Sequence, residues 1–154
     1  MKDKKKQLLM EQLDKKMGFF ANIFDISVPP AGWINSIRIA LNMSLRQLGN
    51  RLSISAQSVK ETEQRESDGS ITLKSLREAG KALDLKLVYG FVPKEKSLEK
   101  MIEQKAYEIA KEIVLRTSHS MMLEDQQNSN ERIEKAIKER TEEIKNEMPG
   151  YLWD

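Results

Sequence analysis

Cysteine is absent from all 154 residues, and histidine occurs once, at His119. Disulfides, thiol nucleophiles, Cys-ligated zinc and iron–sulfur clusters are therefore excluded. A lone imidazole rules out a multi-histidine metal site, so only carboxylates are left as metal ligands or acid–base groups. No apolar run approaches the ~20 residues that a membrane span needs. The basic start, Met1 to Lys6, is followed by Leu8-Leu9-Met10, which Glu11 interrupts, so no signal-peptide core is expected. Net charge is only +2, from 26 Lys/Arg and 24 Asp/Glu, too balanced for a histone-like or polybasic membrane-surface protein. These absences point to a cytoplasmic protein that binds something, with no enzyme activity, catalytic residue, cofactor or metal expected.

What is present is helix-forming and charged: 39% hydrophobic and 32% charged residues, with a mean hydropathy of −0.59, fit a helix-rich chain with a modest core. Charge is divided along the chain. Residues 1–92 carry 15 Lys/Arg and 10 Asp/Glu, net +5; residues 93–154 carry 11 and 14, net −3. A basic front and an acidic back fit different partners for each, or a chance imbalance of a few charges.

Leu8, Leu9, Leu13 and Met17 recur at helical spacing, which predicts a helix over 5–17. Lys4, Lys5 and Lys6 ahead of it read as a solvated terminus, or as a loose basic arm. Pro29-Pro30 and Gly32 then break the pattern and mark the start of the main domain. Four short helices follow, at 33–41, 44–52, 55–66 and 72–83. Ser44, Ser55 and Thr72 stand in N-cap position, and Gln47 completes a capping box with Ser44. In 85–92, Leu85, Leu87, Tyr89 and Phe91 alternate onto one face, the mark of a β-strand. One strand cannot satisfy its own backbone, and the chain offers no other good strand. The expected partner is the same strand of a second copy, across a two-fold axis.

From 97 to about 119 a long amphipathic helix is predicted, its stripe running through Leu98, Ile102, Ala106, Ile109, Ala110 and Val114. That stripe is expected to pack on the main domain or its dimer mate. Residues 124–130 read as a polar connection. A last helix, 131–147, has a thin apolar stripe suited to a surface, and the tail Tyr151-Leu152-Trp153-Asp154 is apolar enough to dock. The resulting division is a helical arm and linker at 1–29, a main domain at 30–92 and a helical extension at 93–154.

The helices at 44–52 and 55–66, joined by about three residues, have the form of a helix-turn-helix. Gly49 suits the close approach of the two helices, and Ile54 and Val59 fill the core beneath. The second helix then turns Gln57, Ser58, Lys60 and Glu61 toward a major groove; Gln reads adenine, and Glu can only accept, as from cytosine. Ser44 and Ser55 mark helix N-termini suited to phosphate, and Arg46, Gln47, Arg51 and Lys74 are phosphate candidates.

The run from Met43 to Val59 resembles the five-helix repressor-type helix-turn-helix of the XRE class. It departs at Leu45 and Ala56, where the class often carries Gln that touches DNA. A wider resemblance covers nearly the whole chain. Gly32-Trp33-Ile34, Gly69-Ser70-Ile71-Thr72-Leu73, Ala82-Leu83-Asp84, Leu87-Val88-Tyr89, Ser118-His119-Ser120-Met121, Leu123-Glu124-Asp125-Gln126 and Leu152-Trp153-Asp154 occur in this order in the family called mobile mystery protein A. In that family the neighbouring gene typically encodes a Fic-domain protein, of the class that transfers AMP to protein hydroxyls and often acts as a toxin. The resemblance implies an antitoxin-like regulator that controls its own operon and binds the toxin.

Many Fic enzymes are restrained by a helix bearing Ser or Thr, three residues and Glu, then Gly or Asn. Ser120 and Glu124 have that spacing, with Asp125 in the last place. Glu124 would pair with an active-site arginine, at about 1.5–3 kcal/mol for such charge-assisted bonds. A chance match is the other reading of so short a motif. His119 suits a helix end, where the dipole favours its charge, or a partner contact. The expectation is an all-α, DNA-binding antitoxin: a five-helix repressor domain with one strand across a homodimer, plus a partner-binding extension. The alternatives are a toxin inhibitor whose helix-turn-helix is only scaffold, and a phage-type repressor without a toxin.

Overall fold

The structure, a computed structural model, describes residues 2–118 and 126–154. They form seven α-helices and two short 3₁₀ turns, and no β-strand occurs among them. The helices are α1 (Lys2–Gly18), α2 (Trp33–Ala40), α3 (Leu45–Leu52), α4 (Ala56–Asp68), α5 (Leu73–Ala82), α6 (Leu98–Ser118) and α7 (Gln126–Glu147). No described helix is long and apolar enough to cross a membrane. The chain divides into two units: Asp25–Tyr89, and Met1–Phe24 together with Gly90–Asp154. The terminal segments treated separately in the sequence thus belong to one unit.

Asp25–Tyr89 holds α2 to α5, four helices rather than the five of the repressor pattern. Its core is Ile34, Leu48, Val59, Ala79 and Leu83, flanked by Ile37, Met43, Leu45, Leu52, Ile71, Leu76 and Ala82. Each of these helices starts where a side chain answers its free N–H groups. Ser44 and Gln47 form a complete capping box on α3, Ser55 accepts from Ser58 N on α4, and Thr72 accepts from Ser75 N on α5. The start of α2 has no local cap. Its Trp33 and Ile34 amides donate, each over 2.8 Å, to the two oxygens of Glu66, a full helix away in α4.

The terminal unit buries Ile102, Ala106 and Ala110 of α6 against Ile137 and Ile144 of α7, with Leu152 of the tail. Ala106 and Ala110, one turn apart, let a neighbouring helix approach closely. Within the terminal unit, the α6 stripe, expected to pack on the main domain or a dimer mate, packs on α7 and α1. As expected, α7 lies at a surface, with most of its described side chains exposed and one stripe, Ile137, Thr141 and Ile144, buried. It starts earlier than expected: 126–130, read as connection, is helical. Asp14 of α1 caps α6, accepting from Leu98 N at 2.7 Å and Glu99 N at 3.2 Å. The tail docks through Leu152, which is 2% exposed, while Tyr151 and Trp153 stay exposed. Lys4, Lys5 and Lys6 are not a loose arm but exposed positions on α1.

The strand expected at 85–92 is not seen: the segment has no secondary structure and no ladder among the described residues, so Leu85, Leu87, Tyr89 and Phe91 are not in a β-strand in the single chain. The physical reason is the lack of a second edge. Leu85 N is taken by Gly80 O at 2.7 Å, and no other backbone group in the segment is paired. Arg77 lies 5.5 Å from the Tyr89 ring centroid and donates to its hydroxyl at 3.3 Å.

Candidate nucleic-acid interface

The geometry of α3, its following turn and α4 begins with Gly49. Ile54 N donates to Gly49 O at 2.9 Å, and a Cβ on Gly49 would stand 2.7 Å from Ile54 O. Only a residue without a side chain lets the turn close this tightly on α3. Ser53 makes the reversal in the left-handed region, at φ +58, and Ser55 opens α4. Val59, fully buried, locks α4 onto Leu48 of the core.

The inner side of α4 is held by carboxylates. Glu63 is buried and accepts from Arg38 Nε in a short bond, from Arg38 Nη2 at 3.2 Å and from Asn35 Nδ2 at 2.8 Å. Arg38 also donates through Nη1 to Met43 O at 2.9 Å. With Glu66 on the amides of α2, two acids one turn apart fasten α4 to α2. Gly32, at φ +84, leaves room for this: a Cβ there would lie 2.8 Å from Glu66 Cδ. Sequence reasoning missed this network. Its members are 25 to 33 residues apart, and no local pattern marks them.

The outer side of α4 carries Gln57, Lys60, Glu61 and Gln64, all exposed and spaced i, i+3, i+4, i+7. None of the four makes a hydrogen bond or ion pair among the described residues. They form one stripe of free donors and acceptors on the second helix of the pair. Other candidate residues fall elsewhere. Ser58 is half-buried, its hydroxyl accepting from Ser55 Oγ at 2.9 Å, so it belongs to the cap. Ser44 and Gln47 are occupied in each other's capping bonds. Arg51 donates to Ala82 O at 3.0 Å and pairs with Asp84 at 3.4 Å, which ties α3 to the end of α5. Arg46 and Lys74 are exposed without a partner, Lys74 in the first turn of α5. Leu45 and Ala56, the two departures from the class, are half-buried, and Leu45 packs on the core.

At the far end of α4, Asp68 accepts from the hydroxyl and amide of Ser70, and those bonds lower its carboxyl below the usual range. Ser120, Glu124 and His119, the toxin-inhibition candidates, lie outside the described residues. The terminal unit has, besides a small hollow of about 50 Å³ beside Met10 and Ile102, two larger concavities among the described residues. One, of about 670 Å³ along α6 and α7, mixes Glu103, Glu134 and Glu142 with Lys100 and Lys138. The other, of about 290 Å³, is almost wholly apolar and is lined by Leu9, Leu13, Leu98, Met101, Met148 and Trp153. Comparison with family models, with curated proteins and with solved structures returns no match.

Proposed function

We propose that Asp25–Tyr89 is a sequence-specific binding unit for double-stranded DNA and that the chain is a transcriptional regulator. The observation that carries this reading is the stripe Gln57, Lys60, Glu61 and Gln64, exposed and unpaired among the described residues on a helix held by α3, the buried Glu63 and the half-buried Glu66. A major groove admits one helix, and these side chains match base edges: Gln for adenine, Glu for the cytosine amine, Lys for guanine or phosphate. Arg46 and Lys74 supply phosphate contacts. A homodimer with its two-fold axis in the segment 85–92 would set two copies of α4 in successive grooves, about 34 Å apart.

Fluorescence anisotropy on DNA from the chain's own promoter, with random DNA as competitor, tests this. Wild type is expected to prefer the promoter, and Gln57→Ala/Lys60→Ala to lose the preference. Equal affinity for random DNA would refute sequence-specific binding.

A second reading makes the terminal unit the binding site for a protein, and the apolar groove beside Met101, Met148 and Trp153 favours it, because methionines adapt to partner helices. Combined with the resemblance to mobile mystery protein A, the partner of this reading is a Fic-domain toxin, restrained through Glu124. Glu124→Gly is then expected to release AMP transfer by that toxin while promoter binding is kept. Unchanged inhibition would refute the role of Glu124.

A further inference from the structure

The segment between α5 and α6 is unusual in what it leaves open. From Lys86 to Val92 no backbone N–H donates, and from Leu85 to Val92 no carbonyl accepts, among the described residues. The segment has no helix or strand assigned, contains no proline before Pro93 and has one charge, Lys86. It therefore lacks the devices by which chains protect an open strand edge. It is also apolar and largely exposed: Val88 is 64% exposed, Tyr89, beside Arg77, 57% and Phe91 84%.

We propose that residues 85–91 pair, antiparallel, with the same residues of a second copy, with Val88 on the two-fold axis. This deepens the dimer element of the proposed function and is independent of its DNA element. The side-chain order selects both the partner and the register. With Val88 opposite its own copy, Leu85 faces Phe91 and Leu87 faces Tyr89 across the ladder, so one face consists of apolar pairs. Lys86 falls opposite Gly90, whose missing side chain leaves room for the Phe20 ring, 2.8 Å from where its Cβ would stand.

Other registers are worse. Centring on Lys86 opposes two like charges. Centring on Leu87 shortens the ladder to 85–89, because Asp84, at φ +59, leaves the extended region. Centring on Tyr89 places Leu85 against Pro93, which has no N–H to give. A strand of unrelated sequence would match this order only by chance, whereas a second copy matches it by symmetry. Seven ladder residues bury much less than the ~800 Å² per partner of a standard interface, so the dimer forms weakly and its population depends on concentration.

The absence of native cysteine makes the test clean. Opposed residues in an antiparallel ladder have Cα atoms about 4.5–5.5 Å apart, within disulfide reach. Full-length Val88→Cys is expected to form a disulfide dimer on mild oxidation without DNA. Leu85→Cys and Phe91→Cys should each stay monomeric alone, since each lies about 20 Å from its own copy in this register, at ~3.4 Å per residue. Mixed together they should cross-link. Sedimentation equilibrium of wild type should show dimer at high protein concentration. Val88→Pro, with an unchanged circular dichroism spectrum, should raise the dissociation constant about tenfold or more by removing a ladder donor.

A wild type that stays monomeric throughout, equal cross-linking at all three positions, or a dimer untouched by Val88→Pro would each overturn the proposal. Promoter binding measured alongside keeps the two readings apart: a monomer that binds its promoter specifically refutes the ladder alone, and a ladder dimer that ignores the promoter refutes the DNA reading alone.

Discussion

Glu63→Ala gives the sharpest test of how α4 is held. The Glu63 carboxylate takes three bonds, two from Arg38 and one from Asn35, and the Arg38 and Glu63 side chains are 11% and 6% exposed. Truncation removes the only acid paired with a buried guanidinium, leaving Arg38 with Met43 O alone. Breaking a buried pair from one side costs about 3–5 kcal/mol, and the better helix propensity of alanine returns a few tenths. The expected loss is about 3–4 kcal/mol, a large share of the ~5–15 kcal/mol that holds a domain. Replacing both partners by apolar residues, Arg38→Met/Glu63→Leu, removes the stranded charge and should be about 2 kcal/mol less damaging than Glu63→Ala. The assay is urea unfolding followed by Trp33, which starts α2, in a Trp153→Phe background that silences the other tryptophan. A Glu63→Ala protein within about 1 kcal/mol of wild type, or a double variant less stable than Glu63→Ala, would refute the reasoning.

Gly49→Ala places a methyl 2.7 Å from the Ile54 carbonyl oxygen, backbone that cannot swing away; about 1–3 kcal/mol of lost stability is expected, and wild-type stability by the same unfolding assay would contradict the close approach. Asp14→Ala frees the Leu98 and Glu99 amides at the start of α6 and should cost about 0.5–2 kcal/mol, read from thermal unfolding, with Asp14→Asn retaining part of the cap. Lys60→Ala should lower the slope of log affinity against log salt on promoter DNA by about 1 if Lys60 meets a phosphate; an unchanged slope with altered base preference would place it on a base instead.

The helices were legible where their signals are local. Ser44, Ser55 and Thr72 announced α3, α4 and α5, because a cap and the amide it serves are three residues apart. Gln57, Lys60 and Glu61 of the α4 stripe were legible for the same reason, since helical spacing decides which residues share a face, whereas Ser58, read with them, is half-buried in the cap. The strand expected at 85–92, to be paired with a second copy, is not seen in the single chain: alternation shows that residues suit a ladder, not that an edge is at hand. The surface place of α7 was legible in its thin stripe. Ile137 and Ile144 are few, but they meet Ala106 and Ala110, which leave them space. The cap of α2 and the pairing of Arg38 with Glu63 were not legible at all. Tertiary folding brings those residues together, and nothing in their immediate neighbours marks them.

That hidden network divides the labour of α4. Glu63 and Glu66 face α2, while Gln57, Lys60, Glu61 and Gln64 face solvent and carry none of the fold's hydrogen bonds. Exposed positions without partners usually change stability by less than about 0.5 kcal/mol when substituted. The outer stripe can therefore vary in sequence, and with it the DNA sequence it would read, while the helix keeps its place. Leu45 and Ala56 fit the same division. Leu45 serves the core and Ala56 is half-buried, so under the proposed function base reading would fall to the four residues farther along α4.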